Sequence, residues 1–400
     1  MKVSFFRANR KRILDVMHYG LIVVSACTQI QRGNDAAFAF EQEANFWYLT
    51  GIGAPDWWLI IDGGDSWLVA PDIDPVHQVF NGSLSWSDAK SMSGVDKVLS
   101  RSEGESLLLE LSKKHDTAYT IGNDPHAKHY DFVLNPAQKN MRTRLRKIFI
   151  EVRDCRTELS KLRAIKQPME IDAMQKAIDL TVDTFTNTKQ KLSSLKYEYE
   201  VEAEFTYSFR KSGATGHAYD PIVAGEKNAC TLHYNSNNDR LISGSLLLLD
   251  VGVRVDGYAA DITRTYAVGK PTKRQIAVHK AVEEASKNII ILLRPGLTIE
   301  NYQKSVDTIM QDALIDLGLL KSRDDQETYR KYFPHAVSHG LGIDVHDSLG
   351  RPYEFLPGMV LTVEPGIYIP EESIGVRIED NILITETGHR NLSSALPTSL

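Results

Sequence analysis

The side chains best suited to chemistry lie in the second half of this 400-residue chain. Segment 246–265, LLLLDVGVRVDGYAADITRT, puts Asp250 at the end of four leucines and Asp261 eleven residues later. Asp256-Gly257 between β-rich runs is a two-residue hairpin signal. With that turn, Val255 faces Tyr258, so Asp250 lies five residues before one arm's end and Asp261 three residues into the other. Both offsets are odd. The two carboxylates therefore project from one face as diagonal neighbours, with backbones about 7–8 Å apart. Like charges at that range need neutralising, and divalent metal ions are suited to it. A strand cap and a solvated acid would also explain the pair, but a buried strand of leucines normally avoids an acid.

Two further clusters follow. FPHAVSHGLGIDVHD, residues 333–347, carries His335, His339 and His346, three of the chain's 12 histidines within fifteen residues. The HxxxH spacing suits one face of a helix, whereas Gly340 and Gly342 favour a loop or strand. In MVLTVEPGIYI, Glu364 ends an apolar strand at a Pro-Gly turn; in GVRIED, Arg377 and Glu379 share the strand face opposite Val376 and Ile378. Four carboxylates and a neutral imidazole would balance two divalent cations. Hard oxygen ligands suit manganese, and cobalt or zinc could also bind.

These residues need a scaffold. Pro168 stands at the first position of an amphipathic helix whose stripe is Ile171, Met174, Ile178, Val182 and Phe185. Val278, Val282, Ala285, Ile289 and Leu292 form a second stripe, closed by Pro295-Gly296. Tyr302, Val306, Ile309, Ala313 and Leu317 form a third, with Gly318 as its cap. Before the basic connector 161–166, strand-like runs (21–26, 57–61, 67–70, 119–121) alternate with helical ones (105–113, 137–147), an α/β layout. All five tryptophans lie in the first 86 residues, which sets the two halves apart.

Composition narrows the function. A net charge of -6 argues against a nucleic-acid surface. No apolar stretch approaches the ~20 residues of a membrane span. Three cysteines, Cys27, Cys155 and Cys230, form no CxxC pair and fit a reducing, cytoplasmic setting. Lys2, Arg7, Arg10, Lys11 and Arg12 ahead of the apolar run imitate a secretion signal, but Asp15, His18 and the run's shortness point to a buried first strand.

The ordered set Asp250, Asp261, His339, Glu364 and Glu379 resembles the five-ligand dinuclear site of the pita-bread metallopeptidases. The strings DVG, DITRT, SHGLGIDVHD, MVLTVEPGIY and GVRIED around them are similar too. NACTLHY (228–234) resembles the segment carrying a substrate-side histidine, here His233. RANRKRIL and QEANFWYLTG resemble the N-terminal domain of the Xaa-Pro aminopeptidases. The resemblance implies an α/β N-terminal domain over residues 1–158 and an α+β pita-bread catalytic domain over 159–400.

It implies roles as well. Asp250 would chelate one ion, Asp261 and Glu379 would bridge the pair, and His339 and Glu364 would complete the other. A water or hydroxide between the ions would attack the scissile carbonyl, with Glu364 as proton shuttle. His346 and His233 would hydrogen-bond the substrate carbonyl, His335 would help orient the substrate, and Arg377 would hold Asp250. His217 and Tyr219, near the NACTLHY segment, are candidates for a proline pocket. The activity implied is release of the N-terminal residue from peptides with proline second. A short span between Asp347 and Met359 favours this over a dipeptide-only prolidase. Methionine aminopeptidase ranks lower, and the complete ligand set counts against metal-free creatinase-like and binding-protein relatives. Exposed tryptophans would be consistent with a homo-oligomer, a dimer or tetramer.

Overall fold

The computed structural model describes residues 1–122 and 132–400. The chain divides into two compact units, Met1–Leu162 and Arg163–Leu400. The break expected at 158/159 falls inside the helix Arg156–Ala164, a few residues before the division.

The first unit is built on a six-stranded mixed sheet in the order Lys97–Leu99, Asp65–Val69, Trp58–Asp62, Leu21–Ser25, Thr117–Thr120, Glu151–Asp154. Leu21–Ser25 pairs antiparallel with Trp58–Asp62 and parallel with Thr117–Thr120, and every residue of it is buried. A strand covered on both faces reads as a continuous apolar run, which is why this one imitates a leader's apolar core. The basic residues before it form a helix, Val3–Val16, that buries Phe5, Phe6, Ile13 and Leu14. Arg10 is buried with them. Its Nη1 donates to the carbonyls of Leu49 (2.7 Å) and Ser93 (3.0 Å), and its Nη2 to that of Gly94 (3.0 Å). These carbonyls end the helices Ala44–Thr50 and Trp86–Ser93, where a cation meets the negative pole of the helix dipole. The expected exposure of the tryptophans holds for Trp86 alone. Trp57 and Trp58 are buried and Trp47 and Trp67 half-buried, because the indoles fill the sheet's packing.

The second unit folds the long helices Pro168–Lys191, Lys273–Leu292 and Ile299–Asp316 over short antiparallel sheets. Pro168 sits at the helix start, where Glu170 accepts from the backbone N–H of Gln167 at 2.8 Å. The stripes of the other two helices merge with Val360–Val363, Gly366–Ile369 and Ile374–Arg377 into one core that includes Val282, Ile289, Val306, Met310, Leu361 and Val376. Gly318 takes φ +72°, as a helix-ending glycine does.

The aspartate hairpin has the register read from the sequence. Val255 pairs with Tyr258, and the same register reaches Asp250 opposite Thr263. Asp256 and Gly257 hold φ of 51° and 86°, the positive pair a two-residue hairpin turn requires. A Cβ on Gly252, which lies across from Asp261 in this register, would collide with the carbonyl of Ala260, so the two arms pack closer than a side chain allows.

Candidate metal centre

Strand ends deliver the acids. Asp250 closes Ser245–Asp250, whose partners are Thr263–Val268 and Ile222–Gly225. Glu364 follows Val360–Val363, and Glu379 lies between Ile374–Arg377 and Asp380–Ile384. A backbone bridge between Thr263 and Glu379 ties the glutamate strand to the hairpin. The Thr263 hydroxyl also donates to Glu379 Oε2 at 2.7 Å. His339 lies in a non-helical stretch, the loop alternative of the two left open by its glycines. Its backbone N–H donates to the hydroxyl of Thr362 at 3.1 Å, and that hydroxyl donates to Glu364 Oε1 at 3.1 Å.

Ligand atoms converge from these elements. One set is Asp250, Asp261 and Glu379, all buried; a second is His339, Glu364 and Glu379; a third is Asp261, His339 and His346. Within each set the ligand atoms lie within 4.8 Å of one another. Glu379 belongs to the first two sets and Asp261 to the first and third. At an effective dielectric of ~20, two unit charges at such a distance repel by roughly 3 kcal/mol. Three mutually close carboxylates thus cost on the order of 10 kcal/mol, comparable to the whole stability of a domain. Arg377 alone cannot offset four acids. The donor set fits divalent cations.

Proton affinities register the same crowding. Burial raises the carboxyl pKa of Asp261, and the charge of Asp250 adds to it. Burial, then the charges of Asp261 and Glu364, push Glu379 far up. Glu364 is carried to about 7 by burial, with His339 opposing and Asp261 reinforcing. For His339 burial works against the charged form, yet its hydrogen bond with Asp261 and the charges of Glu364 and Asp261 lift it to about 9.

Hydrogen bonds fix each ligand's presentation. His339 Nδ1 lies 2.9 Å from the carbonyl of Gly340 and carries a proton towards it, so Nε2 is the nitrogen that faces the acids. That Nε2 is 3.3 Å from Glu364 Oε1 and 3.4 Å from Asp261 Oδ2. Asp250 receives the Tyr219 hydroxyl on Oδ1 and Arg377 Nη2 on Oδ2, both at 2.6 Å. Arg377 Nη1 donates to the Tyr368 hydroxyl at 2.8 Å, which lies 2.9 Å from His335 Nε2. His335 Nδ1 faces the carbonyl of Ala336 at 2.8 Å, and burial, aided by the Arg377 charge, lowers its pKa to about 4. His335 is therefore neutral, and Tyr368 donates to it.

The remaining histidines differ in place. The exposed His346 ring lies 4.2 Å from that of His339, centre to centre. His233 is exposed after the turn Glu226–Cys230 and is near enough for its charge to oppose protonation of His335. His217 does not join the acids: its Nε2 pairs with the Thr206 hydroxyl at 2.8 Å and its ring packs on Phe209. Tyr219 and Tyr368 take parts at the centre that sequence reasoning did not assign. Tyr368's signal was its strand partner: Gly366–Ile369 pairs with Ile374–Arg377, which carries Arg377.

Residues 172–386 match the family model of metallopeptidase family M24, and residues 6–120 match that of the aminopeptidase P N-terminal domain. The Xaa-Pro aminopeptidase of Haemophilus influenzae is 35% identical over 393 residues, covering 92% of this chain and 89% of the relative. That of Escherichia coli is 33% identical, covering 98% and 94%. The solved structure of E. coli aminopeptidase P with the inhibitor Pro-Leu superposes with TM-score 0.88 at 32% identity, covering 100% of this chain and 96% of that one. A zinc-substituted form of the same enzyme in complex with product has TM-score 0.87.

Proposed function

The chain belongs to metallopeptidase family M24, and we propose that it is a two-metal Xaa-Pro aminopeptidase, releasing the N-terminal residue from peptides with proline second. The carrying observation is that Glu379 belongs to two converging donor sets, one with Asp250 and Asp261, the other with His339 and Glu364. Similarity to curated Xaa-Pro aminopeptidases along nearly the whole chain supports the choice of substrate.

In this reading Asp250, Asp261, His339, Glu364 and Glu379 would hold the two ions, with Asp261 and Glu379 the acids that belong to two donor sets each. Two divalent ions, manganese by the hardness of the oxygen donors with cobalt or zinc as substitutes, supply Lewis acidity to the scissile carbonyl and lower the pKa of water. The chain's own groups do the rest. Glu364 accepts the proton of the attacking water on a carboxylate oxygen and hands it to the departing proline nitrogen. His346, exposed beside His339, donates to the substrate carbonyl oxygen, and His233 contributes from the rim. His335, with both nitrogens engaged by protein groups, acts on substrate placement through Tyr368 and Glu364. Arg377 and Tyr219 hold Asp250.

The reading extends to assembly and setting: residues 1–158 as the aminopeptidase-P-type domain, 159–400 as the catalytic domain, in a cytoplasmic homo-oligomer. Val76, Val79 and Phe80 on the helix Pro75–Asn81, and Trp86 beyond it, are exposed and support an association surface. Three free cysteines support a reducing compartment. No helix among the described residues is long and apolar enough to cross a membrane.

The test is hydrolysis of Ala-Pro-Ala beside Ala-Pro and Ala-Ala-Ala with manganese and with chelator. Release of alanine from Ala-Pro-Ala with manganese alone is expected, with Ala-Ala-Ala a poor substrate. Cleavage of Ala-Pro only would make it a prolidase, and indifference to proline would overturn the substrate.

A further inference from the structure

The loop between His339 and His346 is closed by a backbone pair, with the Asp347 N–H donating to the Gly340 carbonyl at 2.8 Å. The side chain of Asp347, next after His346, turns inward and is buried. Arg163 Nη2 donates to its Oδ1 at 2.9 Å, and to Asp344 Oδ2 at 2.8 Å. On the other side stands Lys166, whose side chain is fully buried and whose Nζ has no hydrogen-bond partner. Its nearest carboxylate oxygen is Asp347 Oδ2, at 3.8 Å. Burial lowers the Lys166 pKa, and the charge of Asp347 works against that. A buried ammonium kept at such cost has to be held by a charge it serves. Gly342 completes the fit: a Cβ there would strike Asp347 Oδ2 and crowd Lys166 Nζ. Asp344 and Asp347 belong to none of the converging donor sets among the described residues.

We propose that Asp347, clamped between Arg163 and Lys166, is a positioning residue that sets His346 for the substrate carbonyl; this rests on the role given to His346 above. The clamp fixes Asp347 from both carboxylate oxygens, the Gly340 bridge fixes its backbone, and His346 is the next residue along. Its ring is thereby held against that of His339 instead of swinging into solvent. Misplacement of a reacting group by about 1 Å can cost on the order of a hundredfold in rate.

The test is a kinetic cycle on metal-loaded protein with Ala-Pro-Ala, using Asp347→Asn, His346→Ala and the double variant, with bound metal and Tm measured for each. Asp347→Asn is expected to lose about a hundredfold in kcat/KM with metal retained, and the double variant to lose no more than His346→Ala alone. A purely structural role would instead lower kcat/KM by the same factor with or without His346. Lys166→Met repeats the cycle should Asp347→Asn fail to fold, with about a tenfold loss expected. Losses that multiply in the double variant, or full activity in Asp347→Asn or Lys166→Met, would overturn the inference. Were His346→Ala itself fully active, the role of His346 would fall and this inference with it. A disabled His346→Ala beside an unaffected Asp347→Asn sinks the inference alone.

Discussion

Nη2 of Arg377 stands 2.6 Å from Oδ2 of Asp250, and the same guanidinium reaches Tyr368 with its other terminal nitrogen. Both partners are fixed by strands that meet at the carboxylate centre, so a planar fork with two separated donors is required. Arg377→Lys, a single rotatable point charge, cannot span them. It is expected to weaken metal binding about 10- to 100-fold and to lower kcat/KM with it, read by calorimetric titration of manganese into stripped protein. Unchanged metal affinity would leave Arg377 without the role assigned to it.

Asp261→Ala and Glu379→Ala remove an oxygen donor from two converging sets each. Both variants are expected to bind fewer than two ions per chain and to lose hydrolysis altogether. Metal analysis of dialysed protein beside an activity assay decides it; near-normal turnover with full metal content would refute the ligand assignment.

Proton and metal compete for the same groups. Glu364 titrates at about 7 in the fold, above its ordinary 4.5, so it is protonated where the unfolded chain is not; that contribution to stability falls as pH rises between those values. His339, raised to about 9, contributes stability that is complete below its ordinary 6.5 and lost as pH rises through 9. Both slopes have one sign in the stripped protein, while metal binding gains as these protons leave. The Tm difference between manganese-loaded and chelated protein should widen from about pH 5 to about pH 8. A difference that narrows would contradict this.

How far the sequence reached depended on range. The hairpin register, and with it Asp250 beside Asp261, followed from one turn dipeptide and a period of two, both local. Glu364 and Glu379 stood out because an acid at an apolar strand's end is locally anomalous. The pairing of Arg377 with Asp250 was inferred from a shared strand face, and the structure makes it a hydrogen bond. Tyr219 is named by its sequence position only as a proline-pocket candidate, and its bond to Asp250 was not legible there, because a tyrosine in a loop carries no period that says where its hydroxyl ends. Helix Val3–Val16 was hidden for a related reason. Its buried guanidinium at Arg10 is explained by carbonyls near residues 49, 93 and 94, which no local pattern links to it.

That buried guanidinium carries its own prediction. Arg10→Met would strand the helix-end carbonyls of Leu49 and Ser93, at about 1 kcal/mol or more each, while that of Gly94 keeps the Arg7 Nε donor at 2.9 Å. The melting transition of the first unit is expected to fall by roughly 4–8 °C, while manganese affinity stays unchanged. A variant as stable as the parent would show that water replaces the guanidinium freely.

The most direct measurement of the central claim is activity against bound metal: stripped protein titrated with manganese while release of alanine from Ala-Pro-Ala is followed. Activity that is absent in chelator and reaches its full value at two ions per chain is the predicted result. Full activity at one ion, or hydrolysis that persists in chelator, would contradict the two-metal site built from Asp250, Asp261, His339, Glu364 and Glu379.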